Sequence, residues 1–402
     1  MKIYVTILSI AGLICCFNVR SVCQLPQQVL QVGYFGDTIN IESSSSIQVP
    51  LLRPLNEQAV EKFYNDIKQT GFQPIVNSLL DYKRKEQLDD WLFYQLIRRT
   101  AQQLSPKDGD YERYTLYKWF LLAKCGYNAQ LAFAKEKLLI YVQSDDNIYD
   151  IPLFEKEGKQ YVCLNIHDFE KIDFEKDQLF KVDISVPGAV KTFSYKVKQI
   201  PDLATREYNE KQLVFNYRDM EYRYNIRLNP QMEKMFSNYP AVDFESYFNI
   251  PLSTQTYSSL IPALKKKMKG MKQRQGIDYL MHFTRHAFMY ENDEQHFGKE
   301  TRMSPEQTLM NDFSDCDDRV ALFYYLVKEI YNLPMIVLVY PSHITLAIEM
   351  KKPIGVPVVY NGRKFSVCEP TPQRIELPLG QLMPELKSVA FQVAYEYRPA
   401  NN

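Results

Sequence analysis

Apolar residues recur at three- and four-residue steps over the segment 56–105, a spacing that predicts amphipathic helices. Another apolar helix is expected from Tyr114 to Lys124, ended by Gly126, with strands over 131–133 and 138–142 after it. Residues 24–50 alternate loosely and indicate short strands and linker. We therefore expect a mixed, mainly helical N-terminal module over residues 24–148.

The periodicity changes to strict alternation further along the chain. The segments 182–186 and 193–197 alternate on either side of Pro187-Gly188, and similar alternation follows over 213–226. This pattern predicts a central antiparallel β module over 149–250, and the remainder, 251–402, forms a C-terminal α+β core. The predicted fold class is α+β.

One pattern occurs twice. Residues 116–128 and 322–334 each combine an apolar helix with a tight turn, and strands follow both. The first copy has neither a Cys nor a His at the corresponding places. It is either a degenerate, non-catalytic copy of the same unit or an unrelated helix–strand unit, and the sequence favours two unrelated units.

Composition changes this picture little. The chain has 402 residues, long enough for two or three domains, and 46% of them are hydrophobic. Basic and acidic residues number 48 each, so no net field attracts nucleic acid, and we expect no nucleic-acid partner.

The first 23 residues have the pattern of an export signal. Lys2 precedes the apolar run Ile3–Phe17, and Ser21-Val22-Cys23 offers a cleavage site before Gln24. The run is short for a membrane span, so we expect no integral span in the mature chain. Lipid anchoring is disfavoured because no cysteine here follows the small residue that acylation motifs carry. The predicted location is the periplasm or the cell exterior.

The mature chain would keep four cysteines, and one of them stands at a predicted helix start. Ser314 and Asp317 form a capping-box pattern before an apolar helix that runs to Tyr331, so the helix should begin at Asp315 or Cys316. A thiol there lies over unpaired N–H groups and the positive end of the helix dipole. We therefore expect a lowered pKa for Cys316 and a nucleophilic role.

His343 opens an alternating strand just after the apolar strand 335–340. Ile344, Leu346 and Ile348 share one face, which leaves His343 on the other. A lone histidine beside a strand is usually structural. Together with a helix-start cysteine, however, it forms the thiol–imidazole pair that acyl transfer requires.

Glu369 ends a strand that follows the hairpin turn Asn361-Gly362. A carboxylate there could orient the imidazole, or it could simply face solvent. Alternation places Cys368 on the opposite face from Glu369, which disfavours a Cys316–Cys368 disulfide.

Three segments resemble the Cys, His and acid blocks of the transglutaminase-like superfamily, and most closely its secreted branch in Bacteroidota. They are Asp315-Cys-Asp-Asp-Arg319, Tyr340-Pro-Ser-His343 and Cys368-Glu-Pro-Thr371, with similar context at Phe288–Tyr290, Glu294–Gly298 and Pro305–Leu309. The resemblance covers about the last third of the chain. It implies a papain-like α+β core with a Cys316–His343–Glu369 triad.

The chain departs from that family at two positions. The family usually has Asp where Glu369 stands, and relatives often have Gln, a possible oxyanion donor, where Arg285 stands. The first oxyanion donor would be the Cys316 N–H, and the second is unassigned.

The resulting hypothesis is an exported cysteine-dependent protease, amidase or acyltransferase that forms a thioester on a protein or peptide substrate. The alternative is a non-catalytic binding or assembly protein that retains the fold. His282 and His286 are one helical turn apart but have no evident third ligand, so we expect a surface helix face, no metal and no cofactor. The sequence does not indicate partner proteins or an oligomeric state.

Overall fold

The computed structural model describes residues 27–169, 172, 178–291 and 302–400. The N-terminal part starts with the antiparallel hairpin of β1 (Gln27–Tyr34) and β2 (Asp37–Ser44). Four helices follow: α1 (Glu57–Ile67), α2 (Gln73–Lys85), α3 (Asp90–Leu104) and α4 (Tyr111–Lys124). The helices predicted from periodicity over 56–105 and over 114–124 are confirmed.

A five-stranded antiparallel sheet follows α4. The next strands are β3 (Ala129–Ala134), β4 (Lys137–Gln143), β5 (Ile148–Tyr149), β6 (Leu153–Lys156), β7 (Lys159–Cys163) and β8 (Leu179–Val182). All but β5 belong to the sheet, in the order β6-β7-β4-β3-β8. The boundary expected at residue 148 falls inside this sheet, because β4 pairs with β7 across it.

The two alternating segments on either side of Pro187-Gly188, 182–186 and 193–197, do not pair with each other. Only Val182 of the first segment lies in a strand, β8, and β8 pairs with β3. Alternate side chains of the second segment are buried, as the pattern indicated. Its backbone is satisfied partly by side chains, however, and the N–H of Ser194 donates to Asp90 Oδ2 at 3.0 Å. The alternating pattern therefore indicated which side chains are buried, but it did not indicate strand pairing.

The alternation over 213–226 does form a hairpin, of β9 (Asn209–Tyr217) and β10 (Met220–Leu228). Its two turn residues, Arg218 and Asp219, have φ values of 50° and 61°, as a tight two-residue turn requires. The hairpin packs against helices of the C-terminal core, and it does not join the sheet of the first module.

The rest of the described chain alternates short connections with the elements of the core. Its helices are α5 (Gln231–Phe236), α6 (Phe244–Phe248), α7 (Thr254–Lys267), α8 (Gln273–His286), α9 (Pro305–Met310) and α10 (Cys316–Tyr331). Its strands are β11 (Ala241–Val242), β12 (Met289–Tyr290), β13 (Phe313–Ser314), β14 (Met335–Tyr340), β15 (His343–Glu349), β16 (Val358–Tyr360), β17 (Arg363–Cys368) and β18 (Gln392–Tyr397). The last five form an antiparallel sheet in the order β16-β17-β15-β14-β18. Helices and antiparallel sheets together make this an α+β protein.

Helix α10 lies at the centre of the C-terminal core. Every residue from Asp318 to Val327 is buried. The sheet covers one side of the helix through β15, and α6, α7, α8 and α9 pack around the rest. A helix enclosed on all sides needs apolar residues all round, which explains why its sequence is almost continuously hydrophobic.

The two five-stranded sheets have the same topology. In each, a helix leads into a hairpin, and the strand order is third, fourth, second, first, fifth along the chain. The two hairpins have the same lengths and register, with Ala134 opposite Lys137 in one and Tyr340 opposite His343 in the other. This agreement favours a repeated unit over the two unrelated units that the sequence favoured.

Candidate active site

Helix α10 begins at Cys316, as the sequence predicted, but its cap differs. Asp315 is the N-cap, and its Oδ1 accepts hydrogen bonds from the N–H groups of Asp317 and Asp318 at 3.0 and 3.3 Å. The prediction that Ser314 caps the helix was wrong, and its hydroxyl is buried with no hydrogen-bond partner among the described residues. The thiol nevertheless lies in the first turn, as the argument for a nucleophile requires.

The surroundings of the thiol raise its pKa rather than lower it. Burial is the main cause, and the carboxylates of Asp317 and Asp315 add to it, while a hydrogen bond from the Ile344 N–H acts in the opposite direction. The thiol donates to Asp317 Oδ1 at 3.4 Å. The expected lowering was wrong, because burial, the largest effect, raises the pKa of the thiol and the carboxylates of Asp317 and Asp315 act in the same direction.

The structure brings His343 and Glu369 into direct contact. His343 Nε2 lies 2.8 Å from Glu369 Oε2, and the two side chains are 10% and 1% exposed. Glu369 Oε1 accepts the Thr371 N–H at 3.0 Å, so both carboxylate oxygens are held. With Nε2 donating to the carboxylate, Nδ1 is the imidazole nitrogen left to accept a proton.

Cys316 interacts with the backbone of the strand that carries His343. Its sulfur accepts the N–H of Ile344, the residue directly after His343. Cys316 thus lies near the start of β15, the strand that begins at His343, and His343 in turn contacts Glu369. In this structure the thiol donates to Asp317 Oδ1 rather than to the imidazole of His343.

Arg285 holds the strand end that carries Glu369. Its guanidinium, 2% exposed, donates from Nε and from a terminal nitrogen to the Glu369 carbonyl, and also to the Leu377 carbonyl at 3.1 Å. It contacts Glu376 Oε1 at 3.4 Å. These contacts direct Arg285 to the backbone, so it positions Glu369 and does not serve as an oxyanion donor in this arrangement.

Arg319 has a similar role on the other side of the thiol, and the sequence analysis assigned it none. It is fully buried, and its terminal nitrogens donate to four carbonyls at 2.8–3.0 Å, those of Thr284, Arg285, Phe288 and Met289. Burial lowers the pKa of Arg319 to about 10. An arginine inside an otherwise apolar helix was the available signal.

Tyr290 is a second residue that the sequence analysis missed. Strand β12 pairs in parallel with β13, which places Tyr290 opposite Ser314, two residues before the cysteine. Burial raises the pKa of Tyr290 to about 12, and the nearby Cys316 adds to this rise, so the phenol stays protonated at neutral pH. Its ring centroid lies 5.8 Å from the Arg319 guanidinium carbon. The sequence offered only its place in the resembling segment.

The described residues contain one cluster with donor atoms close enough for a metal, and we assign it no metal. Asp315, Cys316 and Asp317 place an oxygen, a sulfur and an oxygen within 4.8 Å of one another. Asp315 is occupied by the helix N–H groups and Asp317 by the thiol, so both carboxylates already have roles.

His282 and His286 are tied to an acidic residue that the sequence did not connect with them. His282 Nε2 and His286 Nε2 lie 2.6 and 3.5 Å from Glu376 Oε1. The same oxygen also contacts Arg285, and that cation would repel a metal ion. We therefore interpret His282, His286 and Glu376 as a structural cluster that contacts Arg285, the residue that binds the Glu369 carbonyl.

The first unit lacks the three side chains. Lys137 has the hairpin position of His343, and the same spacing between the two units places Asp110, the N-cap of α4, where Cys316 stands. Val367 pairs with Ala347 in the second unit, and Cys163 pairs with the equivalent residue, Tyr141, in the first. The residue two positions further along is Glu369 in the second unit and Asn165 in the first. Asn165 is buried and accepts the Ile140 N–H at 2.9 Å, so this position stabilises the unit instead of orienting a base.

Matched against protein-family models, curated proteins and solved structures, the chain gave no match. The resemblance to the transglutaminase-like superfamily therefore stays a prediction, and the interpretation of this site rests on its geometry. Among the described residues, none of the helices has the length and apolar character needed to cross a bilayer. The predicted export signal, 1–23, and the resembling segment Glu294–Gly298 lie outside the described residues.

A test of the thiol environment follows from its two carboxylates. In Asp317→Asn, we expect iodoacetamide to label Cys316 about tenfold faster at pH 8, because removing a negative charge lowers the thiol pKa and moves thiolate formation to lower pH. The measurement is the labelling rate against pH by mass spectrometry. Asp312→Asn, at a side chain 71% exposed, is the control and should leave the profile unchanged. An unshifted profile in Asp317→Asn would contradict the conclusion that the Asp317 carboxylate raises the pKa of the Cys316 thiol.

Proposed function

We propose that this protein is a cysteine-dependent hydrolase or acyltransferase that acts on peptide or amide bonds. The observation that carries the proposal is the buried 2.8 Å contact between His343 and Glu369, beside a cysteine in the first turn of a helix. A carboxylate held on both oxygens fixes the orientation of the imidazole, which a general base needs.

The chemistry has two halves. His343 Nδ1 accepts the thiol proton, the sulfur of Cys316 attacks the carbonyl carbon, and the C–N bond breaks as the imidazolium returns the proton to the leaving amine. A thioester remains on Cys316. His343 then takes a proton from water, the hydroxide attacks the thioester, and the free acid leaves as the thiol is protonated again.

The tetrahedral intermediate needs donors for its oxygen. The Cys316 N–H, in the first turn of α10, is the first donor. We propose the Tyr290 hydroxyl as the second, because Tyr290 pairs with Ser314, two residues before Cys316, interacts electrostatically with Cys316 and keeps its phenol protonated. Arg285 is excluded from this role by its contacts with backbone carbonyls.

We further propose hydrolysis rather than cross-linking, and a protein or peptide substrate. Water is the abundant acyl acceptor in the periplasm or outside the cell, where the N-terminal signal pattern would send the chain. Nothing in the sequence indicates a site for an amine acceptor.

The proposal is tested by trapping the thioester. The purified protein is incubated with a library of peptide amides, quenched in acid and analysed by mass spectrometry. We expect an adduct on Cys316 that hydroxylamine removes. In Tyr290→Phe we expect acylation to slow about tenfold or more while iodoacetamide labelling keeps its rate. Labelling of Cys316 no faster than a free thiol, with no acyl adduct, would contradict the proposal.

One observation favours a second candidate, a non-catalytic binding protein that retains the fold. Burial and two carboxylates raise the pKa of the Cys316 thiol, which opposes nucleophilic attack unless His343 takes the proton. The variant Cys316→Ser distinguishes the two functions. That variant loses all acylation if the protein is an enzyme, whereas a binding protein would retain its ligand affinity.

A further inference from the structure

A cavity in the N-terminal part of the protein is lined by basic side chains. It has a volume of about 550 Å³ and lies between α3, α4, the first hairpin and the end of α5, with walls from residues far from Cys316 in the sequence. Its charged lining residues are Arg98, Arg99, Lys107 and Lys234, and none of its lining residues is acidic. In a chain whose net charge is zero, these cations make a local positive field around the cavity, although one of them, Lys107, is paired with Asp168.

The two guanidinium groups are held in place before any ligand arrives. Arg99 stacks on Phe35, with its guanidinium carbon 4.5 Å from the ring centroid, and donates to the Gly33 carbonyl at 3.2 Å. Arg98 lies 6.0 Å from the Tyr94 ring centroid and donates to Gln95 Oε1 at 3.1 Å. Fixed, planar donors lose little conformational entropy when they bind a carboxylate or phosphate.

The arginines are not neutralised by the protein itself. Among the described residues, no carboxylate oxygen lies within 4.0 Å of either guanidinium. The acid beside them is Asp168, which pairs with Lys107 at 2.6 Å and accepts the Tyr111 hydroxyl at 2.8 Å. Its second oxygen also faces the buried Lys118 at 3.8 Å. Asp168 is thus shared among other partners, and the charge of the two arginines is left for a ligand.

The cavity suits a small ligand. Cavities of roughly 300–1,000 Å³ are typical of small-molecule sites. Besides its cations, the lining offers amide and hydroxyl groups from Gln102, Gln103, Tyr114, Ser237 and Asn238. Such groups could bind the neutral polar part of a ligand whose charged end meets the arginines.

We propose that this cavity binds a small anionic ligand that bears a carboxylate or phosphate group. The charged group contacts Arg98 and Arg99, and Lys234 lies at the exposed rim. Cys316, His343 and Glu369 do not line this cavity, and most of its lining comes from residues 33–114.

The experiment is isothermal titration of the whole protein with inorganic phosphate and, separately, with succinate at low ionic strength. We expect saturable binding of at least one of them. The double variant Arg99→Gln/Lys234→Gln should bind about tenfold more weakly or worse, because it removes one of the two guanidinium contacts and the cation at the rim. The matched control, Lys265→Gln/Lys269→Gln, makes the same change of charge at exposed positions in and after α7 and should keep the affinity.

Thermal unfolding of each variant shows that it is folded, and Lys234→Gln alone is the milder variant should the double variant unfold. Binding of neither anion, or an equal loss in the control, would overturn the proposal. Vesicles of phosphatidylcholine with phosphatidylglycerol form the third arm. Vesicle binding that free phosphate does not compete away would show a lipid-facing surface and would also overturn it.

Discussion

In His343→Ala, iodoacetamide labelling of Cys316 near neutral pH is expected to slow by about 100-fold or more. The thiol is buried beside two carboxylates that raise its pKa, so it depends on a base to lose its proton. His343 is the base that the geometry offers, with its orientation fixed by Glu369. General bases of this kind contribute about 10²–10⁴-fold. The measurement is the rate of modification at Cys316, mapped by mass spectrometry.

The repeated unit supplies a matched control. Lys137 has the same position in the first hairpin as His343 in the second, so Lys137→Ala makes a comparable truncation at an equivalent backbone position. It should leave the labelling rate unchanged. Glu369→Gln should give an intermediate rate, because the imidazole is still held but loses its anionic partner. A labelling rate in His343→Ala equal to that of the unmodified sequence would remove His343 from the mechanism and favour the binding protein.

The position of Cys316 was predictable because it depended on local sequence. Helix periodicity and polar residues before the first apolar turn are read within a few positions, and the helix does begin at this residue. The identity of the cap was harder, because Ser314, Asp315 and Asp317 all suit a helix start. The structure selects Asp315, whose side chain reaches two N–H groups, while Ser314 is buried in β13.

The pKa of Cys316 and the role of Arg285 were not predictable, because both depend on residues distant in the sequence. The helix-dipole argument considered one element, whereas the thiol is enclosed by α10 and the start of β15. Likewise, no local pattern shows that Arg285 reaches the Glu369 carbonyl, 84 residues away. Alternation over 193–197 correctly indicated buried side chains, but it could not show which groups satisfy the backbone.

In the proposed triad, Glu369 stands where the family that the sequence resembles usually has Asp. Its longer side chain reaches the imidazole from the end of β17 while its other oxygen accepts the Thr371 N–H. Arg285 fixes the carbonyl of the same residue, and Glu376 links Arg285 to His282. The two departures from the family pattern thus lie in direct contact, and together they hold the carboxylate against His343.

Arg319→Leu is expected to reduce the free energy of unfolding by about 4 kcal/mol. The guanidinium is fully buried and donates to four backbone carbonyls, those of Thr284 and Arg285 in α8, of Phe288 after it and of Met289 in β12, and an apolar side chain removes all four hydrogen bonds. Hydrogen bonds to charged groups contribute about 1.5–3 kcal/mol each, and the removal of one buried cation offsets part of that sum. The measurement is urea unfolding followed by circular dichroism.

Arg223→Leu is the matched control for this loss of stability. Its side chain is 62% exposed on the central hairpin and pairs only with Glu221 among the described residues, so the same substitution should change stability by no more than about 0.5 kcal/mol. A loss below about 1 kcal/mol in Arg319→Leu would mean that the carbonyls find other donors. A large loss confined to Arg319 would instead identify this buried arginine as the link that holds Tyr290 and the end of α8 beside the thiol.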